Sequence, residues 1–301
     1  MNLGANLLLT ALAPAVWGST YFVTTEWLPK GHPMTLAMLR ALPAGLLLLA
    51  IVRQWPLRER LAQVLVLGTL NFAVFWTLLF VSAQRLPGGV AATLGSAQAL
   101  LVLLLARGLL GTPVRTASVA AAMAGALGVA LLVLGPAATL DPLGLAAGVG
   151  SAVAMAAGTV LSRKWQSGVA PLTFTAWQLT AGGLVLLPMA LLSEPPLPSL
   201  ESGHLGALVY LGLIGAALTY FLWFRGLARL GHATVSLLAL LSPVTAVGIG
   251  WLALDQSLTV AQCFGVFVVL VSVAWGQQVA SRPETPAAQP FTGARRATLL
   301  R

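Results

Sequence analysis

The chain has 301 residues, of which 58% are hydrophobic and only 8% are charged, and its formal net charge is +9. A soluble domain carries about 25% charged residues, so this composition excludes a water-soluble fold and indicates an all-α integral membrane protein. A nucleic-acid partner is excluded as well, because the basic residues lie in short loops between apolar segments rather than on one polar surface.

Ten apolar segments are candidate membrane spans, since a helix needs about 20 residues to cross a bilayer. Several begin at or just after a proline, which is well tolerated in the first turn of a helix. The predicted spans are residues 5–27, 33–52, 62–82, 88–109, 116–135, 143–163, 171–192, 204–224, 232–254 and 259–279. After them, residues 281–301 are polar and rich in Pro and Ala, which predicts a disordered tail.

The basic residues are distributed unequally between the two sets of loops. Thirteen fall on one side, only Lys30 and Arg85 fall on the other, and Arg40 lies inside the second span. Because loops rich in Lys and Arg face the cytoplasm, this pattern predicts that both termini are cytoplasmic. An even number of spans follows, and ten satisfies that condition.

The two halves of the chain resemble each other. Residues 33–49 align with residues 171–187 at an offset of 138, and Leu67 and Gly68 align with Leu211 and Gly212 at an offset of 144. The six additional residues fall in the long loop that follows the seventh span. Such self-similarity predicts an internal repeat.

The repeat divides the spans into two groups of five. Because five is odd, the second group begins on the opposite side of the membrane, and the repeat is inverted as in secondary transporters. We predict a first five-helix repeat over residues 1–136, a second, inverted one over residues 137–280, and the tail over residues 281–301.

Two short motifs add a family resemblance. With its two five-helix halves, the WGS sequence of Trp17–Ser19 and LSPVTAVGIGWLALDQSLT at Leu241–Thr259, the chain resembles EamA-type members of the drug/metabolite transporter superfamily. Within that superfamily it is similar to bacterial amino-acid exporters of the YddG type. The resemblance implies an inner-membrane carrier that exports small metabolites. The family usually has Glu where Asp255 stands here, and the matching position of the first half is Gly111, which is not acidic.

Arg40 is the most informative single residue. It lies seven residues, or roughly 10 Å, into the second predicted span. A charge at such depth costs about 2.5–3.5 kcal/mol, and residues of this kind usually face the interior of the bundle. Arg40 is therefore a candidate gate residue or partner for a substrate carboxylate. The alternative is that it snorkels to the membrane interface or bonds backbone carbonyls.

Other polar and aromatic side chains recur at helical spacing and are candidates to line a substrate cavity. Each has a structural alternative, because Ser and Thr often bond their own helix and Trp favours the membrane interface. Together with Arg40, the predicted lining comprises Trp17, Thr20, Tyr21, Asn71, Phe75, Leu79, Gln98, Met155, Thr159, Trp177, Gln178, Tyr220 and Trp223. Pro14 and Pro243 lie inside spans and are predicted as hinges or as fixed bends.

Taken together, these features favour a secondary transporter that exports aromatic, neutral or other amino acids, or similar small metabolites. No Asp or Glu lies at the centre of a predicted span, which favours facilitated transport without a proton-carrying carboxylate. The alternatives are an exporter of drugs or other metabolites with the same fold and, far less favoured, a membrane enzyme. We expect a small-molecule substrate and the lipid bilayer as partners, no cofactor or metal, and a monomer or weak dimer.

Overall fold

The computed structural model describes residues 3–86, 94–133, 141–166, 168–253 and 259–281. Within these ranges all regular secondary structure is helical, and seven helices are long and apolar enough to cross a membrane. Three further apolar helices of the described residues are shorter: Leu94–Leu110, Thr116–Leu131 and Val260–Gly276. The protein is thus an all-helical, multi-pass membrane protein, and the number of ten spans stays a prediction.

We number the helices in chain order, treating segments that follow one another without a loop as one helix. The first half contains α1 (Leu3–Trp27), α2 (Pro33–Val52), α3 (Arg58–Arg60, Leu61–Gly68, Thr69–Val74 and Phe75–Arg85), α4 (Gln98–Leu110) and α5 (Thr116–Val133). The second half contains α6 (Pro142–Trp165), α7 (Pro171–Ser193), α8 (Ser202–Val209, Tyr210–Leu218 and Thr219–Leu230), α9 (His232–Leu238 and Leu241–Ala253) and α10 (Val260–Ser281).

The helix starts follow local signals. Pro142 and Pro171 are the first residues of α6 and α7, where the missing N–H costs no hydrogen bond. At the start of α2, the carboxylate of Glu194 accepts hydrogen bonds from the backbone N–H groups of Met34 and Thr35, at 2.6 and 2.8 Å. A carboxylate is favourable there because it meets the positive end of the helix dipole. The end of α7 is thereby attached to the start of α2.

At the start of α6, Asp141 both caps the helix and forms an ion pair. One oxygen accepts the Leu143 N–H at 3.2 Å, and the other accepts from Arg85 Nη1 at 3.2 Å. The Arg85 hydrogen bond holds the pKa of the Asp141 carboxyl below its ordinary value of 3.8. A depressed folded-state pKa contributes stability above the unfolded pKa, and that stability is lost as the pH falls through the folded value.

We therefore expect Asp141→Asn, which keeps the cap acceptor but removes the charge, to lower the thermal midpoint slightly at pH 7. The difference from the unmodified protein should disappear as the pH falls below 3.8. Thermal unfolding in detergent across this pH range measures it, with Asp141→Ala as the variant that also loses the cap. A difference that is independent of pH would contradict this assignment.

Helices at equivalent positions of the two halves make equivalent contacts. α2 packs along α7 and α5 packs along α10, so that each pairs with its own equivalent. Likewise, α1 packs against α8 and α9, as α6 packs against α3 and α4. Such an exchange of partners is expected when two similar halves are related by a pseudo-two-fold axis.

The crossing of α2 and α7 repeats this exchange in atomic detail. A Cβ atom at Gly45 would lie 2.8 Å from both Leu179 C and Thr180 Cα, and one at Gly183 would lie 2.6 Å from Leu42 Cβ. Gly45 and Gly183 are related by the offset of 138, and so are Leu42 and Thr180. Glycine is required at both positions because the backbones touch.

The third helix of each half contains a π-helical segment, Thr69–Val74 in α3 and Tyr210–Leu218 in α8. At the offset of 144, the first segment corresponds to residues 213–218, which lie within the second. π-helical turns are rare and occur frequently at functional sites. Their equivalent placement directs attention to the region between α3 and α8.

The two predicted hinge prolines differ in their surroundings. α9 is interrupted between Leu238 and Leu241, and Pro243 lies in the first turn of the segment that follows. A proline in the first turn breaks no hydrogen bond inside that segment. The interruption of α9 thus lies before Pro243 rather than at it. Pro14, in contrast, lies inside α1, which is assigned as one helix throughout its length.

Candidate functional site

We call the end of the bundle that carries the loop between α1 and α2 the α1–α2 end, and the other the α2–α3 end. A cavity of about 150 Å³ lies between them, lined by residues of α1, α2, α3, α4, α6, α8 and α9. An apolar cavity of about this volume can hold a benzene-sized molecule, whereas drug-sized ligands occupy roughly 300–1,000 Å³. A cavity of this size therefore matches a small metabolite.

Eight of the residues predicted from sequence lie in the lining of this cavity. They are Trp17, Thr20, Arg40, Phe75, Leu79, Gln98, Met155 and Tyr220. Pro243, predicted as a hinge, also lines it beside the interruption of α9. The structure thus brings together side chains that the sequence distributes over more than 200 positions.

Arg40 is buried, with 3% of its surface exposed. Its Nη2 donates a hydrogen bond to the carbonyl oxygen of Gly215 at 2.6 Å, and its guanidinium carbon lies 4.4 Å from the ring centroid of Trp76. The burial excludes snorkelling to the interface. Arg40 does bond a backbone carbonyl, as one of the alternatives to a functional role proposed, and it also lines the cavity. A charged hydrogen bond and a cation–π contact therefore position the cation at the cavity wall.

An aromatic cluster borders the cavity, and its members Trp17, Trp76 and Tyr220 also belong to the lining. The ring of Tyr220 lies 4.9 Å from Trp17 and 4.6 Å from Phe72, and the ring of Trp17 lies 4.9 Å from Trp223. Trp17 is further fixed by a 2.9 Å hydrogen bond from its Nε1 to Thr219 Oγ1. Phe72 and Trp223 are fully buried outside the lining, where they pack against Tyr220 and Trp17 respectively.

Several polar atoms of the lining make no hydrogen bond with any described residue. They are Thr20 Oγ1, Thr24 Oγ1 and Gln98 Nε2, all of them buried. Most buried polar groups in proteins have a partner, and an orphaned one costs about 1–3 kcal/mol. Two hydroxyls and an amide of residues in the cavity wall are thus left without partners in the part of the chain that the structure describes, although each of these atoms is itself covered by its surroundings.

Two predicted cavity residues bind each other instead. Asn71 Nδ2 donates to Gln178 Oε1 at 2.7 Å and to Ser162 Oγ at 3.1 Å, and all three side chains are fully buried. Asn71 Oδ1 packs so closely on Gly158 that a Cβ atom there would overlap it. This Asn71–Ser162–Gln178 cluster joins α3, α6 and α7 beside the cavity rather than in its wall.

The remaining predicted residues lie outside the lining as well. Thr159 is fully buried in α6, and Trp223 lies behind Trp17. The indole Nε1 of Trp177 donates to the carbonyl oxygen of Gln54 at 2.6 Å, which anchors α7 to the end of α2. The side chain of Tyr21 lies outside the part of the chain that the structure describes, as does Asp255.

The lining also contains residues that the sequence analysis did not propose, of which Trp76 and Phe80 are the largest. The predicted stripe of α3 followed steps of four residues, through Phe75 and Leu79. Phe75, Trp76, Leu79 and Phe80 all lie in the α-helical segment Phe75–Arg85, so the face of α3 that lines the cavity is two residues wide at each turn. The polar residues Ser236 and Ser242 enter the lining beside the interruption of α9. The nearby Pro243 was the sequence signal for them.

A helical membrane bundle with two halves of equivalent packing and a small central cavity has the construction of a membrane carrier for small solutes. The chain belongs to the EamA-like transporter family, whose model matches residues 5–134 and again residues 142–275. The family resemblance inferred from the sequence motifs is thereby confirmed.

The chain is also similar to two sequence relatives and to one solved structure. The chain is 45% identical to Protein PecM of Dickeya dadantii over 270 residues, which cover 89% of this chain and 90% of PecM. It is 28% identical to the uncharacterized inner membrane transporter YedA of Escherichia coli, with 86% of each chain covered. A crystal structure superposes with a TM-score of 0.79 at 21% identity, over 93% of this chain and 98% of the other. At this identity the likeness shows the fold.

Proposed function

We propose that the protein is a secondary transporter of a bacterial inner membrane that exports amino acids, aromatic or neutral ones above all, or similar small metabolites. The central cavity carries this proposal, because Arg40 lies in its wall next to aromatic rings and unpartnered hydroxyls. A guanidinium matches a carboxylate in charge and in planar geometry. The aromatic and aliphatic lining accommodates an apolar side chain of the same solute.

The proposed architecture is ten spans in two inverted five-helix repeats, residues 1–136 and 137–280, with residues 281–301 as a cytoplasmic tail. Three observations support it: the family model matches twice, the α2–α7 crossing is pseudo-symmetric, and both third helices contain a π-helical segment. The placement of both termini in the cytoplasm is supported by the distribution of basic residues over the loops.

Transport is proposed to be driven by the substrate gradient, with the protein as a monomer or weak dimer in the bilayer. Among the described residues no Asp or Glu is buried, whereas ion-coupled carriers commonly place a carboxylate on the ion path. His32 and His232 lie at helix ends, and His204 is part of a capping box at the start of α8. The second candidate function is export of other metabolites or drugs. Among such solutes, the cavity volume of about 150 Å³ favours the smaller ones.

Transport by the purified protein in proteoliposomes tests the proposal. Radiolabelled Thr, Met, Phe, Lys and Glu are offered singly without an ion gradient and then with an imposed pH gradient. We expect saturable flux of the neutral amino acids without a gradient, and empty liposomes serve as the control. Flux of nucleosides or cationic drugs but of no amino acid would refute the amino-acid assignment. Flux that requires the pH gradient would refute the facilitative mechanism.

A further inference from the structure

The lining of the cavity separates into two groups when the halves are aligned, with the offset of 138 for α1 and α2 and of 144 for α3 and α4. In the first group, both equivalent residues line the cavity. These pairs are Trp17 and Met155, Trp76 and Tyr220, Gly95 and Ala239, Ser96 and Leu240, Gln98 and Ser242, and Ala99 and Pro243. Equivalent residues meet in this way where a pseudo-two-fold axis passes, so this part of the cavity is shared by both halves.

In the second group, only one member of each pair lines the cavity. From the first half these residues are Thr20, Thr24, Arg40, Phe75, Leu79 and Phe80. Their equivalents in the second half are Gly158, Ser162, Gln178, Thr219, Trp223 and Phe224, all of which are buried outside the cavity. From the second half, Ser151 and Ala152 line the cavity and their equivalents Ala13 and Pro14 do not. Along α1 and α6, the lining residues Thr20, Thr24, Ser151 and Ala152 all lie nearer the α1–α2 end than the shared pair Trp17 and Met155. The cavity is therefore formed on the α1–α2 side of the shared centre and closed on the α2–α3 side.

The contacts that close the α2–α3 side have equivalents on the other side. Gln178 accepts a hydrogen bond from Asn71, and their equivalents are Arg40 and Gly215, which are also hydrogen-bonded to each other. Equivalent helix positions are thus joined by a hydrogen bond in both cases. The bond from Arg40 to Gly215 joins a guanidinium to a backbone carbonyl, whereas the bond from Asn71 to Gln178 joins two neutral side-chain amides. On the closed side, Ser162 and the close packing of Asn71 on Gly158 complete the contact.

We propose that Gly158, Ser162, Gln178, Trp223 and Phe224 form the cavity wall of the state that faces the α2–α3 end. The Asn71–Ser162–Gln178 cluster is the contact that must break to reach that state. This inference rests on the proposed transport function, because a carrier has to present its site to both sides of the membrane.

The proposal also names the chemistry that differs between the two states. Arg40 offers a cation to a solute in the cavity that faces the α1–α2 end, whereas its equivalent, Gln178, offers a neutral amide on the other side. Hydrogen bonds to a charged group are stronger than those between neutral groups, by about tenfold in affinity. A solute that carries a carboxylate therefore binds more tightly from the α1–α2 end than from the α2–α3 end.

Thiol labelling of membrane vesicles tests the location of the second wall without requiring a known solute. In a Cys263→Ser background, Thr24→Cys and Ser162→Cys form a matched pair at equivalent positions, and both replacements nearly conserve size. We expect a membrane-impermeant methanethiosulfonate to modify Thr24→Cys from the α1–α2 end and Ser162→Cys from the α2–α3 end. When Asn71→Ala is added to the Ser162→Cys variant, the thiol at position 162 should be labelled about fivefold faster or more. A factor of about five corresponds to the loss of one net hydrogen bond that holds this side closed.

Thr180→Val is the control. Thr180 is a buried polar residue of α7, the helix that contains Gln178, but it lies outside the Asn71–Ser162–Gln178 cluster. Its replacement should leave the labelling rate of Ser162→Cys unchanged. Modification of Ser162→Cys from the α1–α2 end would overturn the proposal. So would failure to label it from either end in the Asn71→Ala background.

Kinetics in oriented proteoliposomes test the difference in chemistry. We expect KM for L-methionine to be about tenfold lower from the α1–α2 end than from the α2–α3 end. The maximal rate should be lower from the α1–α2 end by the same factor, because a passive carrier has the same ratio of maximal rate to KM in both directions. Arg40→Gln, which gives both halves the same residue, should remove this asymmetry. Equal KM values from both ends, with saturable flux, would overturn the inference and leave the proposed function intact. Absence of flux for every amino acid offered would instead refute the proposed function, and the labelling experiment would then decide this inference.

Discussion

Replacing Arg40 with leucine is expected to lower amino-acid flux in proteoliposomes by about 100-fold. The change removes the proposed partner of the solute carboxylate and the donor to the Gly215 carbonyl. A hydrogen bond to a charged group is worth about 1.5–3 kcal/mol, or at least tenfold. The stacking of the guanidinium on Trp76 is lost at the same time. Initial rates of uptake, normalised to reconstituted protein, measure the effect.

Arg40→Lys separates charge from geometry. Lysine keeps the positive charge but lacks the planar guanidinium that stacks on Trp76 and can bind a carboxylate through two donors. We expect it to restore part of the flux and to leave a deficit of about tenfold. Restoration of the full rate would show that charge alone is sufficient.

Arg107→Leu is the matched control, because Arg107 is an exposed arginine in the last turn of α4, away from the cavity. Its flux should equal that of the unmodified protein. Thermal unfolding in detergent distinguishes a transport defect from misfolding for both variants. A correctly folded Arg40→Leu protein that transports at the unmodified rate would refute the role assigned to this residue.

The second large effect is expected on stability, at the crossing of α2 and α7. Gly45→Ala or Gly183→Ala should each cost about 1–3 kcal/mol, because the added methyl group has no room and separates the two helices. At Gly45 the obstructing atoms are the backbone of Leu179 and Thr180, which cannot move aside as a flexible side chain can. Thermal midpoints in detergent and the yield of folded protein measure this cost.

The double variant is informative because both substitutions act on the same crossing. Once one methyl group has separated the helices, the second finds more room, so the combined cost should be smaller than the sum of the two. Gly206→Ala is the control, since a Cβ atom there meets nothing within 4 Å and alanine favours the helix by up to about 1 kcal/mol. Unchanged stability of both crossing variants would contradict the close approach of the backbones.

The fold was largely predictable because its signals are local. Span 33–52 was predicted at the bounds that α2 has, and span 171–192 differs from α7 by one residue. Both helices begin at a proline, and the surrounding composition leaves no alternative to a membrane helix. The equivalence of Gly45 and Gly183 was visible in the sequence, and the structure gives it a physical cause in the helix crossing.

The cavity was less predictable because its wall depends on how each helix is rotated about its axis. Polarity indicated correctly that Asn71 and Gln178 avoid lipid, but it could not show that they bind each other. Similarly, Trp76 was missed because the predicted stripe of α3 followed every fourth residue, whereas the face of the helix that lines the cavity is two residues wide. Rotation is decided by packing between helices that are distant in the chain.

The burial of Arg40 has a further consequence for the energetics of the membrane. Its equivalent, Gln178, is neutral, and no carboxylate is buried among the described residues, so a positive charge is fixed within one half of the bundle only. If the halves rock past each other, that charge moves through part of the transmembrane electric field. A full elementary charge gains or loses about 2.3 kcal/mol per 100 mV across the whole bilayer. Even a partial displacement makes the balance between the two conformations depend on membrane voltage, also for a solute that carries no net charge.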